Sequence, residues 1–187
     1  RALRGLSRDA YTLATKVGRY ADAEFDFSAR RVTRSVDESL RRLGVEHVDL
    51  IQCHDIEFGD LDQVVNETIP ALRRVVEAGK ARFIGITGLP LGIFRHVLDR
   101  TDVDTILSYC HYTLNDTSLA RLIPYLKGKG VGIINASPLG MGLLTGRELP
   151  EWHPAPAALR EACARAAAHC RGRGVEIARL AIRFATA

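Results

Sequence analysis

Five short apolar runs, each followed by a helical pattern, predict an α/β fold built on a parallel sheet. Three observations carry this reading. The runs, at residues 11–17, 48–53, 82–87, 103–109 and 131–136, recur at regular spacing, and such alternation means parallel strands joined by crossover helices. Polar residues stand at or just past their ends: Lys16, His54, Thr87, His111 and Ser137. That placement fits a (β/α)8 barrel, where the strand C-termini share one mouth and carry the active site. No Gly-x-Gly-x-x-Gly follows a strand, which argues against a doubly wound open sheet binding a dinucleotide at such a turn.

The elements follow in order. Residues 11–17 are apolar and β-branched before Gly18 and read as a strand. Ser28 is an N-cap candidate, and Val32, Val36, Leu40 and Leu43 follow at helical spacing until Gly44 stops the helix. After the strand 48–53, residues 61–78 read as a helix interrupted near Pro70, because proline removes a donor and clashes with the preceding turn. The strand 82–87 precedes Pro90, which suits a first helical turn. The strand 103–109 leads to Asp116, a cap for a helix carrying Leu119, Leu122, Ile123 and Leu126. The strand 131–136 runs into a proline-rich loop, and two helical stretches, 157–170 and 175–186, close the chain.

Composition narrows the function classes. The 187 residues are 47% hydrophobic and 26% charged, an ordinary globular balance, and the length predicts a single domain, 1–187. A complete barrel of this class needs about 250 residues and the chain starts at Arg1, so a partial barrel is expected. The net charge of +4 is spread beside acids, as in Asp37-Glu38 and Arg41-Arg42, which excludes a nucleic-acid surface needing a clustered basic patch. No apolar stretch reaches membrane-span length and no signal peptide is evident, so no membrane partner and a cytoplasmic location are expected. Cys53, Cys110, Cys163 and Cys170 form no Cys-x-x-Cys pair. They read as reduced thiols, and no Cys/His spacing suits a metal.

Several segments carry a resemblance. They are Ala-Thr-Lys-Val-Gly (14–18), Val-Asp-Leu-Ile-Gln-Cys-His-Asp (48–55), Gly-Lys-Ala-Arg-Phe-Ile-Gly (79–85) and Ala-Ser-Pro-Leu-Gly-Met-Gly-Leu-Leu-Thr-Gly (136–146). In this order the sequence resembles the aldo-keto reductases along essentially its whole length. The stretches GRY (18–20), FDFSA (25–29), CHDIEFG (53–59), ETIPAL (67–72), IGITGLP (84–90), ILSYCHY (106–112) and PEWHPA (150–155) resemble the branch of NAD-dependent aldose 1-dehydrogenases that includes the plant-type L-galactose dehydrogenases. The resemblance implies a partial TIM (β/α)8 barrel lacking strands 1, 2 and 8.

It also implies a nicotinamide-dependent oxidoreductase using an Asp, Tyr, Lys, His group. Lys16 matches the Lys and His54 the His, while the Asp and Tyr belong to a segment before residue 1. A phenol with a pKa near 10 is a poor base at neutral pH, and a nearby ammonium lowers that value. Taken singly, a lysine after a strand is usually a solvated end and a histidine there a hydrogen-bonded structural residue. Their joint placement, one βα unit apart, favours catalysis. The cofactor, NAD with NADP possible, is expected to meet Thr87, Ser108, Tyr109, Ser137, Leu139 and Gly142, with the pyrophosphate against the glycine-bearing loop. His111 and Trp152 are the expected substrate contacts. Thr87-Gly88 stands where many members have Ser-Asn, Tyr109 where they have Gln, and Ala136 where they stack a Tyr. The partner is a small-molecule sugar or carbonyl substrate, and the sequence sets no oligomeric state. The implied reaction is oxidation of the anomeric carbon of an aldose, L-galactose or L-fucose, to a lactone with NAD+. A general NADPH-linked carbonyl reductase, and a catalytically dead fragment or regulatory module without the Asp and Tyr, stay open beside it.

Overall fold

The structure, a computed structural model, describes residues 5–186. The chain divides into two compact units, one running to Leu107 and including Gly130–Gly132, the other comprising Ser108–Lys129 and the residues from Ile133 on. Its elements are β1 (Ala14–Val17), β2 (Arg19–Ala21), β3 (Glu24–Phe25), α1 (Ala29–Leu43), β4 (Val48–Cys53), α2 (Leu61–Gln63), α3 (Ile69–Glu77), β5 (Ala81–Gly88), α4 (Leu91–Leu98), β6 (Thr105–Tyr109), α5 (Ile123–Gly128), β7 (Gly132–Ala136), α6 (Ala157–Arg171) and α7 (Ile177–Ala185). The main sheet has the order β1-β4-β5-β6-β7. Its strands thus follow chain order, and the pairs β1–β4 and β4–β5 are parallel. This is the α/β arrangement that the alternating pattern predicts.

In the first unit, β4 is buried along its whole length, as a strand covered on both faces must be. Helix α1 turns Val32, Val36 and Leu40 inward. Ser28 Oγ accepts the Arg31 N–H at its start, and Gly44, at φ 69°, ends it with its N–H on Leu40 O. Ile51, Ile69, Leu72, Ile86 and Phe94 are among the largest side chains fully enclosed. The second unit has its own small core of Leu143, Leu144, Cys163, Ala167, Ile177 and Ala181. No described helix is long and apolar enough to cross a membrane.

Four details differ from the sequence reading. The first strand begins at Ala14, not residue 11, because the Leu13 N–H donates to the Asp49 carboxylate (2.7 Å) instead of to a neighbouring strand. The helix expected over 61–78 is interrupted upstream of Pro70, in a π-turn over Val64–Thr68 where the Ile69 N–H reaches back to Val64 O. Pro70 itself sits in the first turn of α3, where its missing N–H is tolerated. Asp116 accepts the Ser118 N–H, but a 3-10 turn (Ser118–Arg121) precedes α5, whose first turn holds Pro124. The β2–β3 hairpin, of three and two residues, has no counterpart in the periodic pattern. It closes against Gly18, at φ 100°, where a Cβ would lie 2.5 Å from the Phe27 ring.

Asp49, at the N-terminal part of β4, ties this end of the sheet together. It accepts from Leu13 N–H (2.7 Å), Arg8 (2.6 Å) and Arg82 (3.2 Å). These donors, the backbone one foremost, hold its pKa down at about 2. A carboxyl depressed in the folded state contributes stability above its unfolded pKa of about 3.9 and loses it as pH falls through the folded value. Replacing Asp49 with Asn is therefore expected to cost about 2 kcal/mol at pH 7, the range for hydrogen bonds to a charged group. It should also flatten the pH dependence of stability between about 4 and 2. Urea unfolding followed by circular dichroism across that range checks both, and an unchanged midpoint would remove this role.

Candidate active site

Lys16 and His54 are brought together by strand register. In the first unit β1 pairs with β4 so that Lys16 lies opposite Gln52. Side chains alternate along a strand, so Lys16, Gln52 and His54 share one face. His54 extends the ladder by donating its N–H to Val17 O (2.9 Å). Lys16 Nζ then lies 3.5 Å from His54 Nε2.

The next residue, Asp55, completes a cluster that the sequence reading missed. Its backbone is left-handed at φ 53°, a conformation that a non-glycine residue holds only when its surroundings impose it. Thr87 Oγ1, buried at the end of β5, accepts the Asp55 N–H at 3.1 Å. The turned carboxylate reaches His54 Nε2 (3.2 Å) through one oxygen and Arg19 (2.6 Å) through the other. Arg19 comes from β2, with its guanidinium 5.4 Å from the Phe25 ring centre. Both residues lie inside motifs already quoted, but only the hairpin folds Arg19 back onto Asp55. Thr87, expected at the cofactor, has its oxygen engaged in fixing that turn.

The two contacts of His54 Nε2 require different protonation. A bare Nε2 accepts from the Lys16 ammonium, whereas an Nε2–H donates to Asp55. Burial lowers the pKa of His54; Asp55 opposes this, and the charges of Lys16 and Arg19 add to it. The ring is thus held toward its neutral form, in which one nitrogen donates and the other accepts. A neutral imidazole beside a cation can orient a hydroxyl or carbonyl and move a proton to or from it.

The remaining candidates lie in the second unit. Ser108 is fully buried and its Oγ has no hydrogen-bond partner. Tyr109 is partly exposed. The His111 carbonyl accepts the Leu119 N–H, and its ring Nδ1 is buried without a partner. The 137–146 loop is tightly wound: Ser137 (φ 59°), Gly140 (58°), Met141 (57°) and Gly142 (110°) are all left-handed. Ser137 Oγ accepts the Met141 N–H, and the Gly142 N–H goes to Leu139 O. Trp152 is 71% exposed, whereas the adjacent His153 is 4% exposed and bonded to this loop. In the sequence the indole is conspicuous, whereas His153 beside it gives no comparable signal. Among the described residues no group of three His, Cys, Asp or Glu side chains could hold a metal, and the four cysteines are free thiols.

Comparison with known proteins adds to this geometry. The sequence profile of the Aldo/keto reductase family matches residues 1–187. L-galactose dehydrogenase of Arabidopsis thaliana is 58% identical over 183 residues, covering 96% of this chain and 57% of that protein. D-arabinose 1-dehydrogenase of Saccharomyces cerevisiae is 35% identical, over 95% of this chain and 56% of that protein. Among solved structures, the aldo-keto reductase AKR11C1 from Bacillus halodurans in its holo form superposes with a TM-score of 0.69 at 30% identity, covering 83% of this chain and 52% of that one. The chain spans about half the length of the curated relatives it matches.

The charges around His54 give a signed test. Lys16→Met removes a positive neighbour and is expected to raise the His54 pKa; Asp55→Asn removes the opposing carboxylate and is expected to lower it. An NMR titration of the ring protons in the three proteins reads this directly. Shifts of the same sign in both variants would show that the cluster does not set the titration of His54.

Proposed function

Because this chain belongs to the aldo/keto reductase family, we propose that the protein is a nicotinamide-dependent oxidoreductase that oxidises the anomeric carbon of an aldose, such as L-galactose or L-fucose, to a lactone. The observation that carries the proposal is the apposition of Lys16 and His54, 3.5 Å apart on neighbouring strand ends. The substrate class rests on the names of the relatives, two sugar dehydrogenases.

A nicotinamide dinucleotide fits the residues present. Ser108 Oγ is a buried hydroxyl without a partner, and a ligand amide or hydroxyl would satisfy a group that is otherwise costly to bury. Ser108, Tyr109, Ser137, Leu139 and Gly142 are the residues proposed to hold it, with NAD+ the first choice and NADP+ open. A nicotinamide held there would supply the hydride acceptor for oxidation of the anomeric carbon. His54, held neutral, orients the anomeric oxygen through one ring nitrogen. The Lys16 ammonium stabilises the phenolate of the tyrosine that the family resemblance places before residue 1, so that this phenolate can take the hydroxyl proton. Asp55 and Arg19 hold His54 in place by flanking it with a fixed ion pair.

The test uses the complete protein, with formation of reduced nicotinamide followed by absorbance. L-galactose and L-fucose are assayed with NAD+ and with NADP+. Lys16→Met and His54→Ala are each expected to lower kcat by about 100-fold or more, the usual size of an acid–base contribution. Reduction of simple aldehydes with NADPH, in a protein that leaves both sugars untouched, would favour the carbonyl-reductase reading instead. Full sugar turnover in Lys16→Met would sink the role given to the lysine.

A further inference from the structure

The 137–142 loop holds its shape through one peptide unit gripped at both ends. A peptide is planar, so the Gly140 carbonyl and the Met141 N–H point in opposite directions and turn together. Inside the loop, Ser137 Oγ accepts the Met141 N–H at 3.2 Å. From outside it, His153 Nε2 donates to the Gly140 carbonyl at 3.3 Å, across thirteen residues of chain. This peptide lies between two left-handed residues, Gly140 and Met141; glycine adopts that conformation freely, but Met141 holds it only where several contacts define it.

His153 is itself anchored. Its Nδ1 accepts the Ala155 N–H at 3.1 Å, so the ring is the neutral form with its proton on Nε2. Its own N–H donates to Pro150 O (3.1 Å). Arg160 of α6 donates to the His153 carbonyl and, at 2.8 Å, to that of Ala155. A line of hydrogen bonds therefore runs from α6 through residues 153–155 and the His153 ring to the Gly140–Met141 peptide. Every member belongs to the second unit.

We propose that His153 is a positioning residue for dinucleotide binding: by fixing the Gly140–Met141 peptide it holds the Ser137–Gly142 loop in the conformation that receives the cofactor. This rests on the reading of Ser137, Leu139 and Gly142 as dinucleotide contacts. His153 is buried and acts through this peptide, so its effect falls on dinucleotide affinity and leaves sugar affinity alone.

Three substitutions in the complete protein separate this from simple structural support. His153→Phe keeps the ring volume and removes both side-chain hydrogen bonds. His153→Asn keeps an acceptor for Ala155 but falls short of Gly140. His153→Gln carries an N–H at the distance of Nε2. Melting temperature, NAD+ affinity by calorimetry, and KM for NAD+ and for the sugar are measured for each. His153→Phe and His153→Asn are expected to weaken NAD+ by about tenfold, the loss of about one hydrogen bond. The sugar KM should stay unchanged and His153→Gln should recover most of the affinity. Wild-type NAD+ affinity in the folded Phe or Asn variant overturns the proposal, as does a loss of folded protein whose surviving fraction binds normally. A wild-type protein that binds no dinucleotide overturns the underlying reading, and this one with it.

Discussion

The pairing of β1 with β4 is the constraint on which the strand-end chemistry depends. Four residues of β1 lie in parallel register against Leu50–Cys53, and the His54 N–H adds one further bond to Val17 O. A slip of one residue would reverse the facing of every side chain on the moved strand. Lys16 would then point away from His54 and Val17 would lose its enclosure. The register is set by burial: Val17 is fully enclosed on one face while Lys16 emerges on the other. The packing energy of an apolar side chain thus fixes the position of a charged one.

The two ends of β4 carry different duties. Asp49, near the start, collects two guanidiniums and a backbone N–H, groups that hold the sheet edge closed. His54 and Asp55, just past the other end, sit among unequal and competing partners, with one ring nitrogen shared between an ammonium and a carboxylate. A saturated cluster of that first kind stabilises; an unsaturated one leaves a group ready to exchange a proton. The left-handed backbone at Asp55 belongs to the second kind, and its cost is offset by the Thr87 hydroxyl and by Arg19.

Much of this was legible in the sequence. Lys16 and His54 stand out because each closes an apolar, β-branched run, and the strand order follows from short crossover connections. The start of β1 was not legible, since residues 11–13 have strand composition but give a backbone donor to a carboxylate 36 residues away. Arg19 and Asp55 were visible as residues but not as a pair, because a hairpin of two and three residues leaves almost no periodic signal. Trp152 drew attention by its size, whereas what matters at His153 is two hydrogen bonds from opposite sides of one ring. Periodicity reports which face is buried; it says nothing of which carbonyl a buried ring will meet.

The π-turn over Val64–Thr68 has a consequence for how the chain tolerates changes in length. The widened turn accommodates one more residue than a regular helix would, and it presents Glu67 to the start of α1, where its carboxylate accepts the Ala29 N–H at 2.7 Å. Deleting one residue there would restore regular winding and leave the following helix in place, whereas a deletion in the regular helix beyond it would turn the residues on either side of the gap by about 100° relative to each other. A deletion between Ile69 and Leu72 would break the shared buried face of these two residues, while one at the π-turn would leave both in the core. Packing therefore makes the widened turn the place where this helix tolerates the loss of one residue, at the expense of the Glu67 contact with Ala29.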